Sequence, residues 1–224
     1  MLEERSFRSF VGLHEKFHCA RVIQVASVGK RYADSIKVHR YPMRPLGYLY
    51  KRVEPKPEWL SAPQVIDVYS LSSCVSKNFT DYVTYWKHNG FWLFDSPSVM
   101  EKIATENSIP LDGMTLFYYE AYEQEFDDDV HEWSGFEPEP TFGLNVVEPL
   151  FKRLEGFDVT SFTNHTSPEC SPLSCNSCAK SLHTNSRCLF GTFEDARRAI
   201  ENQEFQGCEP GPYRIIAIYS VQRN

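Results

Sequence analysis

Tyr213-Arg-Ile-Ile-Ala-Ile-Tyr-Ser-Val221 is the stretch on which the fold turns. Ile215-Ile-Ala-Ile218 runs apolar without the polar alternation of a strand that faces water on one side. Such a run predicts a strand buried on both faces, inside a sheet that other elements cover. Immediately upstream, Thr192 reads as a helix N-cap, with Asp195 in place of the usual Glu of a capping box. Phe193, Ala196, Arg197 and Ile200 set the faces of a helix over 193–203, and Gly207 and Pro210-Gly-Pro212 break it.

The same reading extends towards the N-terminus. Phe157–Phe162 reads as a strand, and Met114–Phe126 as a long one rich in Thr, Phe and Tyr. Ser96-Pro97 starts a helix over 97–107, with Val99, Ile103 and Ala104 inward. Phe91-Trp-Leu-Phe94 reads as a short buried strand. Phe79, Tyr82, Val83 and Trp86 fall at helical spacing over 78–89, and Gly90 ends that helix. Val65–Leu71 reads as a further strand. Tyr41-Pro-Met-Arg-Pro45 and Glu54-Pro-Lys-Pro57 bracket a short strand at 46–53, and Asp127–Pro149 is loop-like. The order predicts an α+β fold. Strands 65–71, 91–94, 114–124, 157–162 and 213–221 form one mixed sheet, packed by three helices, with a long acidic loop and a Cys/Pro-rich loop. No internal repeat is visible.

Residues 1–40 fit no clean template and are expected to form a basic N-terminal arm or extension, leaving 41–224 as a single α+β domain. Residues 1–57 hold 12 Lys/Arg against 5 Asp/Glu, whereas the rest of the chain is acidic enough to bring the total to −7. An acidic body repels phosphate backbones, so nucleic-acid binding is expected at most through the basic stretch at 1–57. No run of 18 apolar residues predicts a membrane span, and no signal peptide is expected, because Glu3 and Glu4 precede no adequate apolar core. Seven cysteines in a chain of 224 residues predict reduced thiols in the cytoplasm rather than a disulfide scaffold. No phosphate-binding glycine loop is present.

Chemistry concentrates in 165–188: His165, Cys170, Cys175, Cys178, His183 and Cys188, stiffened by Pro168 and Pro172. Four readings compete. Cys175-Asn-Ser-Cys178 is one zinc knuckle with no second pair, so Cys170, Cys175, Cys178 and Cys188 are the candidate metal ligands. Cys175 or Cys170 could be a nucleophile served by His165 or His183, or a redox or regulatory thiol. The blander reading makes these cysteines small buried hydrophobes in a loop held by proline, with zinc the one cofactor to consider and none required. Asp127, Asp128, Asp129, Glu132 and Trp133 form an acidic, aromatic run that lacks calcium-loop order and could dock a protein partner.

Ser167-Pro-Glu-Cys-Ser-Pro-Leu-Ser-Cys-Asn176, Cys188-Leu-Phe-x-Thr-Phe-Glu-Asp-Ala196 and Glu209-Pro-Gly-Pro-Tyr-Arg-Ile-Ile216 resemble a family of uncharacterised bacterial proteins. Leu46-Gly-Tyr-Leu-Tyr50 and His88-Asn-Gly-Phe-Trp92 share in the likeness. The resemblance covers most of 45–221. It implies a bacterial, cytosolic origin, treats the N-terminus as an extra, and assigns no residue a role. The leading expectation is a cytosolic binding or protein-interaction module of regulatory or immunity type, acting through its acidic, aromatic surface. The alternative is a thiol- or zinc-dependent enzyme centred on 165–188.

Overall fold

The computed structural model describes residues 41–72, 74–79, 89, 91–136, 145–162 and 170–222, all in the unit Arg40–Asn224. The expected arm at 1–40 and most of the expected helix at 78–89 lie outside the described residues. The elements are β1 (Met43–Lys51), β2 (Glu54–Pro55), β3 (Asp67–Val68), α1 (Pro97–Asn107), β4 (Thr115–Asp127), β5 (Glu132–Gly135), β6 (Lys152–Ser161), α2 (Phe193–Glu201) and β7 (Tyr213–Val221). The fold is α+β with one five-stranded sheet in the order β1-β4-β7-β6, and β5 adds to β4. Every pairing is antiparallel, so the sheet is not mixed, and two α-helices occur among the described residues.

β7 sits inside the sheet, and Ile215, Ile216, Ala217 and Ile218 are fully buried. The long apolar runs of β4 and β7 follow from that position, since neither face meets water. One core cluster gathers Met100 and Ala104 of α1 with Tyr48, Tyr50 and Phe117. The other gathers Phe193, Ala196 and Ile200 of α2 with Val159 and Ile215.

Two expected strands are corrected. Of 65–71 only Asp67–Val68 is a strand, and it pairs with Glu54–Pro55 in a separate ribbon. Phe91, Leu93 and Phe94 are buried in a corner with one bridge, Tyr48 to Phe94, while Trp92 is exposed at φ 57°. The apolar character of the corner serves burial rather than pairing. Conversely, β1 spans Met43–Lys51 despite Pro45, and β5 forms inside the expected acidic loop as a hairpin on β4.

The sheet also contains an internal repeat that the sequence reading did not find. β1 pairs with β4 through Met43↔Tyr122, Gly47↔Tyr119 and Lys51↔Thr115. β6 pairs with β7 through Lys152↔Val221, Gly156↔Ile218 and Thr160↔Arg214. The two registers match position for position, including a one-residue bulge before each glycine. Tyr119 faces Ile218 across β4 and β7, so a pseudo-twofold axis passes between them. Gly47 and Gly156 have φ of +140° and +149°, and a Cβ there would meet the backbone oxygen of Phe94 or Phe190 at 2.8 or 2.7 Å. Only glycine combines that backbone with so close an approach. In each half an asparagine amide reaches into the bulge: Asn89 Nδ2 donates to Leu46 O at 2.6 Å, and Asn185 Nδ2 to Glu155 O at 2.8 Å. Each half then bridges strand to corner, Tyr48 with Phe94 and Phe157 with Phe190, just before its helix begins.

Candidate thiol centre

β1 and β6 each place one charged side chain beneath the connection loops. Lys51 closes β1 and is 1% exposed. Its Nζ donates to the carbonyls of Ser70, Leu71 and Ser72 at 2.5, 3.2 and 2.9 Å, which draws the 70–72 backbone around the ammonium. Asp158 of β6 is fully buried and gathers both loops. Its Oδ2 accepts from Ser70 Oγ at 2.8 Å and from the Leu71 N–H at 3.1 Å. Its Oδ1 accepts from Ser171 Oγ at 2.6 Å and from the Val159 N–H at 3.0 Å. Burial pushes the Asp158 carboxyl above the usual carboxylate range, against these hydrogen bonds and the charge of Lys51.

Four residues after each Asp158-bound serine comes a cysteine: Ser70 leads to Cys74, and Ser171 to Cys175. The Cys175 N–H donates to Ser171 O at 2.8 Å, and the Cys74 N–H to Ser72 Oγ at 3.2 Å. Cys170 is tied to the end of β6, where the Ser161 N–H donates to its carbonyl at 2.9 Å. The outcome is a trio: Cys74, Cys170 and Cys175 have sulfurs within 4.8 Å of one another, and Cys74 Sγ and Cys170 Sγ are 3.7 Å apart. Ser72 Oγ lies 3.4 Å from Cys175 Sγ. Cys74 is exposed and the other two are half-buried.

The thiols are unlike one another electrically. Burial raises Cys74, but hydrogen bonds from Ser72, Cys175 and Cys170 outweigh it, and its pKa falls below the ordinary thiol value. Burial and the neighbouring sulfurs of Cys175 and Cys74 push Cys170 far up, and burial raises Cys175. In one charge state of the cluster, two neighbours therefore hold their protons and donate to the third sulfur.

The other candidates go elsewhere. The Cys175/Cys178 knuckle is split: Cys178 Sγ lies 3.5 Å from Cys208 Sγ, outside the trio. Cys188 is a fully buried core residue of the α2 cluster at φ 62°, the counterpart of Trp92, and burial pushes its thiol up to about 12. His183 is exposed and joins no cluster of possible ligands among the described residues, and His165 lies outside them. The acidic run is partly held in structure, with Asp129 and Glu132 exposed. Asp127 Oδ1 accepts from the Asp129 and Val130 N–H groups in a turn, and Asp128 Oδ1 accepts from the Gly211 N–H at 2.9 Å. Trp133 donates to Glu201 at 3.0 Å and lies under Arg197, while Glu132 pairs with Asp127 across the hairpin.

Sequence reasoning missed Cys74, Lys51, Asp158 and Cys208. The signal for Cys74 was present in Ser70-Leu-Ser-Ser-Cys74, which echoes Ser171-Pro-Leu-Ser-Cys175. No helix among the described residues is long and apolar enough to cross a membrane. Comparisons with protein-family models, curated proteins and solved structures return no match.

Proposed function

We propose that this chain is a zinc-thiolate protein whose Cys74, Cys170 and Cys175 hold one ion at the junction of its two repeated halves. The 3.7 Å separation of Cys74 and Cys170 carries the reading. Two sulfurs bound to a tetrahedral zinc at about 2.3 Å each lie about 3.8 Å apart, so the pair already spans one edge of that tetrahedron. A disulfide would join only two of the three sulfurs, and plain apolar packing gives no reason for three to converge beside hydrogen-bonded serines. Soft thiolates select zinc over magnesium or calcium. Asn176 Oδ1, one residue on from Cys175, is a buried acceptor that lacks a hydrogen-bond partner among the described residues.

Three protein ligands with one of them at the surface are the layout of a catalytic or exchange centre, in which a fourth position takes water or a substrate group. The chemistry open to such a site is polarisation of a bound oxygen or activation of a bound thiol. Cobalt substitution tests this reading. The cobalt form is expected to show the intense visible bands of a tetrahedral ion and strong thiolate charge transfer, and azide or a small thiol is expected to move those bands. A weak octahedral spectrum would overturn the metal reading. A tetrahedral spectrum that no added ligand perturbs would overturn the open position.

A further inference from the structure

Cys178 and Cys208 stand apart from the trio and are brought together by different elements. Cys178 opens a single 3-10 turn, Cys178–Lys180, and its N–H donates to Pro172 O at 3.1 Å. Cys208 ends the turn after α2, where its N–H donates to Phe205 O at 3.0 Å. The segment that follows is fixed to the sheet: Tyr213 Oη donates to Glu209 O at 2.6 Å, and the Gly211 N–H to Asp128. Both backbones are thus set without help from the sulfurs, yet the sulfurs lie 3.5 Å apart, and both residues are half-buried rather than sealed in the core. A disulfide requires the sulfurs to close by about 1.5 Å.

We propose that Cys178 and Cys208 form a reversible disulfide by exchange with a low-molecular-weight disulfide of the glutathione class, independently of the Cys74–Cys170–Cys175 centre. The step balances as two exchanges. The Cys178 thiolate attacks one sulfur of the small disulfide, forming a mixed disulfide and releasing one small thiolate, which takes up the Cys178 proton. The Cys208 thiolate then attacks Cys178 Sγ and displaces the second small thiolate, which takes the Cys208 proton. Two electrons pass from the protein to the small disulfide, leaving one protein disulfide and two small thiols. Burial raises both thiols, Cys208 up to about 12, and the hydrogen bond from Cys208 offsets part of the rise at Cys178, which makes Cys178 the attacker. The bond closes a loop that contains all of α2 and leaves Cys175 free for its own partners.

Full-length protein equilibrated with excess glutathione disulfide, then trapped and digested, tests the proposal. The expected product links the Cys178 and Cys208 peptides, lowers the free-thiol count by two, and raises Tm by roughly 5–10 °C through loop closure. Reduced glutathione reverses all three changes. Cys178→Ser and Cys208→Ser each abolish the link and the Tm rise. Zinc binding by these variants is expected to match wild type, so failure here is distinguishable from failure of the metal reading. A link from Cys178 to Cys175 or Cys170, or a stable glutathione adduct with no internal bond, would overturn the proposal.

Discussion

The two halves of the sheet run the same course and carry different loads. β1, α1 and β4 repeat as β6, α2 and β7, with the same bulge, the same glycine, the same asparagine clamp and the same strand-to-corner bridge. At matched positions the side chains diverge. Lys51 of the first half corresponds to Thr160 of the second, and Leu49 to Asp158. The buried cation therefore comes from one half and the buried acid from the other, and each half sends a serine-led loop to Asp158. The backbone frame is symmetric while the chemistry is divided. The thiol centre needs both halves, since Cys74 comes from the first and Cys170 and Cys175 from the second.

The sharpest way to break this comparison is to exchange the unlike pair. Lys51→Met is expected to destabilise by about 3–5 kcal/mol, because three buried carbonyls lose their donor and Asp158 loses its nearby cation. At the matched position, Thr160 Oγ1 is buried without a hydrogen-bond partner among the described residues. Thr160→Val is accordingly expected to be neutral or slightly stabilising by chemical denaturation. Comparable losses at the two sites would mean that the repeat shares its energetics as well as its shape.

The like pair sharpens the comparison from the other side. Gly47→Ala and Gly156→Ala are each expected to cost roughly 2–4 kcal/mol, and to differ by less than about 1 kcal/mol. The left-handed-side φ and the clash with a backbone oxygen are the same in both. A tolerated alanine at either site would show that its half relaxes where the other cannot.

Smaller effects separate the helices. Thr192 Oγ1 accepts from the Asp195 N–H, so Thr192→Ala is expected to cost about 1 kcal/mol. Ser96 makes no side-chain cap bond, so Ser96→Ala is expected to stay within about 0.5 kcal/mol. The smallest effect is a pH dependence. Burial raises Asp158 in the fold above its unfolded value, so its contribution is full below the unfolded pKa and is lost as pH rises through the folded one. Wild type is expected to lose stability relative to Asp158→Asn as pH climbs out of the ordinary carboxylate range. A gain over that span would contradict the assigned direction.

Much of the frame could be read from the sequence, and the junction could not. β4, β7, α1 and α2 announce themselves through β-rich runs, helical spacing, and the Ser96-Pro97 and Thr192…Asp195 starts, and β6 only over its second half, since Lys152–Gly156 is charged and glycine-broken. Phe91–Phe94 misled because a buried corner and a buried strand select the same apolar residues. The strand read at 46–53 caught β1 from Leu46 on but not its start, because Pro45 sits at the bulge, and β5 was hidden by the charges around it. The repeat escaped notice because its geometry constrains few identities: a glycine, an asparagine, and the Leu-Phe of Leu93-Phe94 and Leu189-Phe190. Reading 165–188 as one unit hid the centre for a related reason. Spacing along the chain suggested that Cys175 and Cys178 converge, whereas the turn sends them to different partners, Cys74 with Cys170 and Cys208.

The most direct test of the joint centre is zinc content per chain after exhaustive dialysis, in wild type and in single Cys→Ser variants of each half. One equivalent is expected in wild type and in Cys188→Ser. It is expected to be lost alike in Cys74→Ser from the first half and in Cys170→Ser or Cys175→Ser from the second. Zinc retained at full stoichiometry in Cys74→Ser, or no zinc bound by folded wild type, would contradict a metal centre shared between the halves.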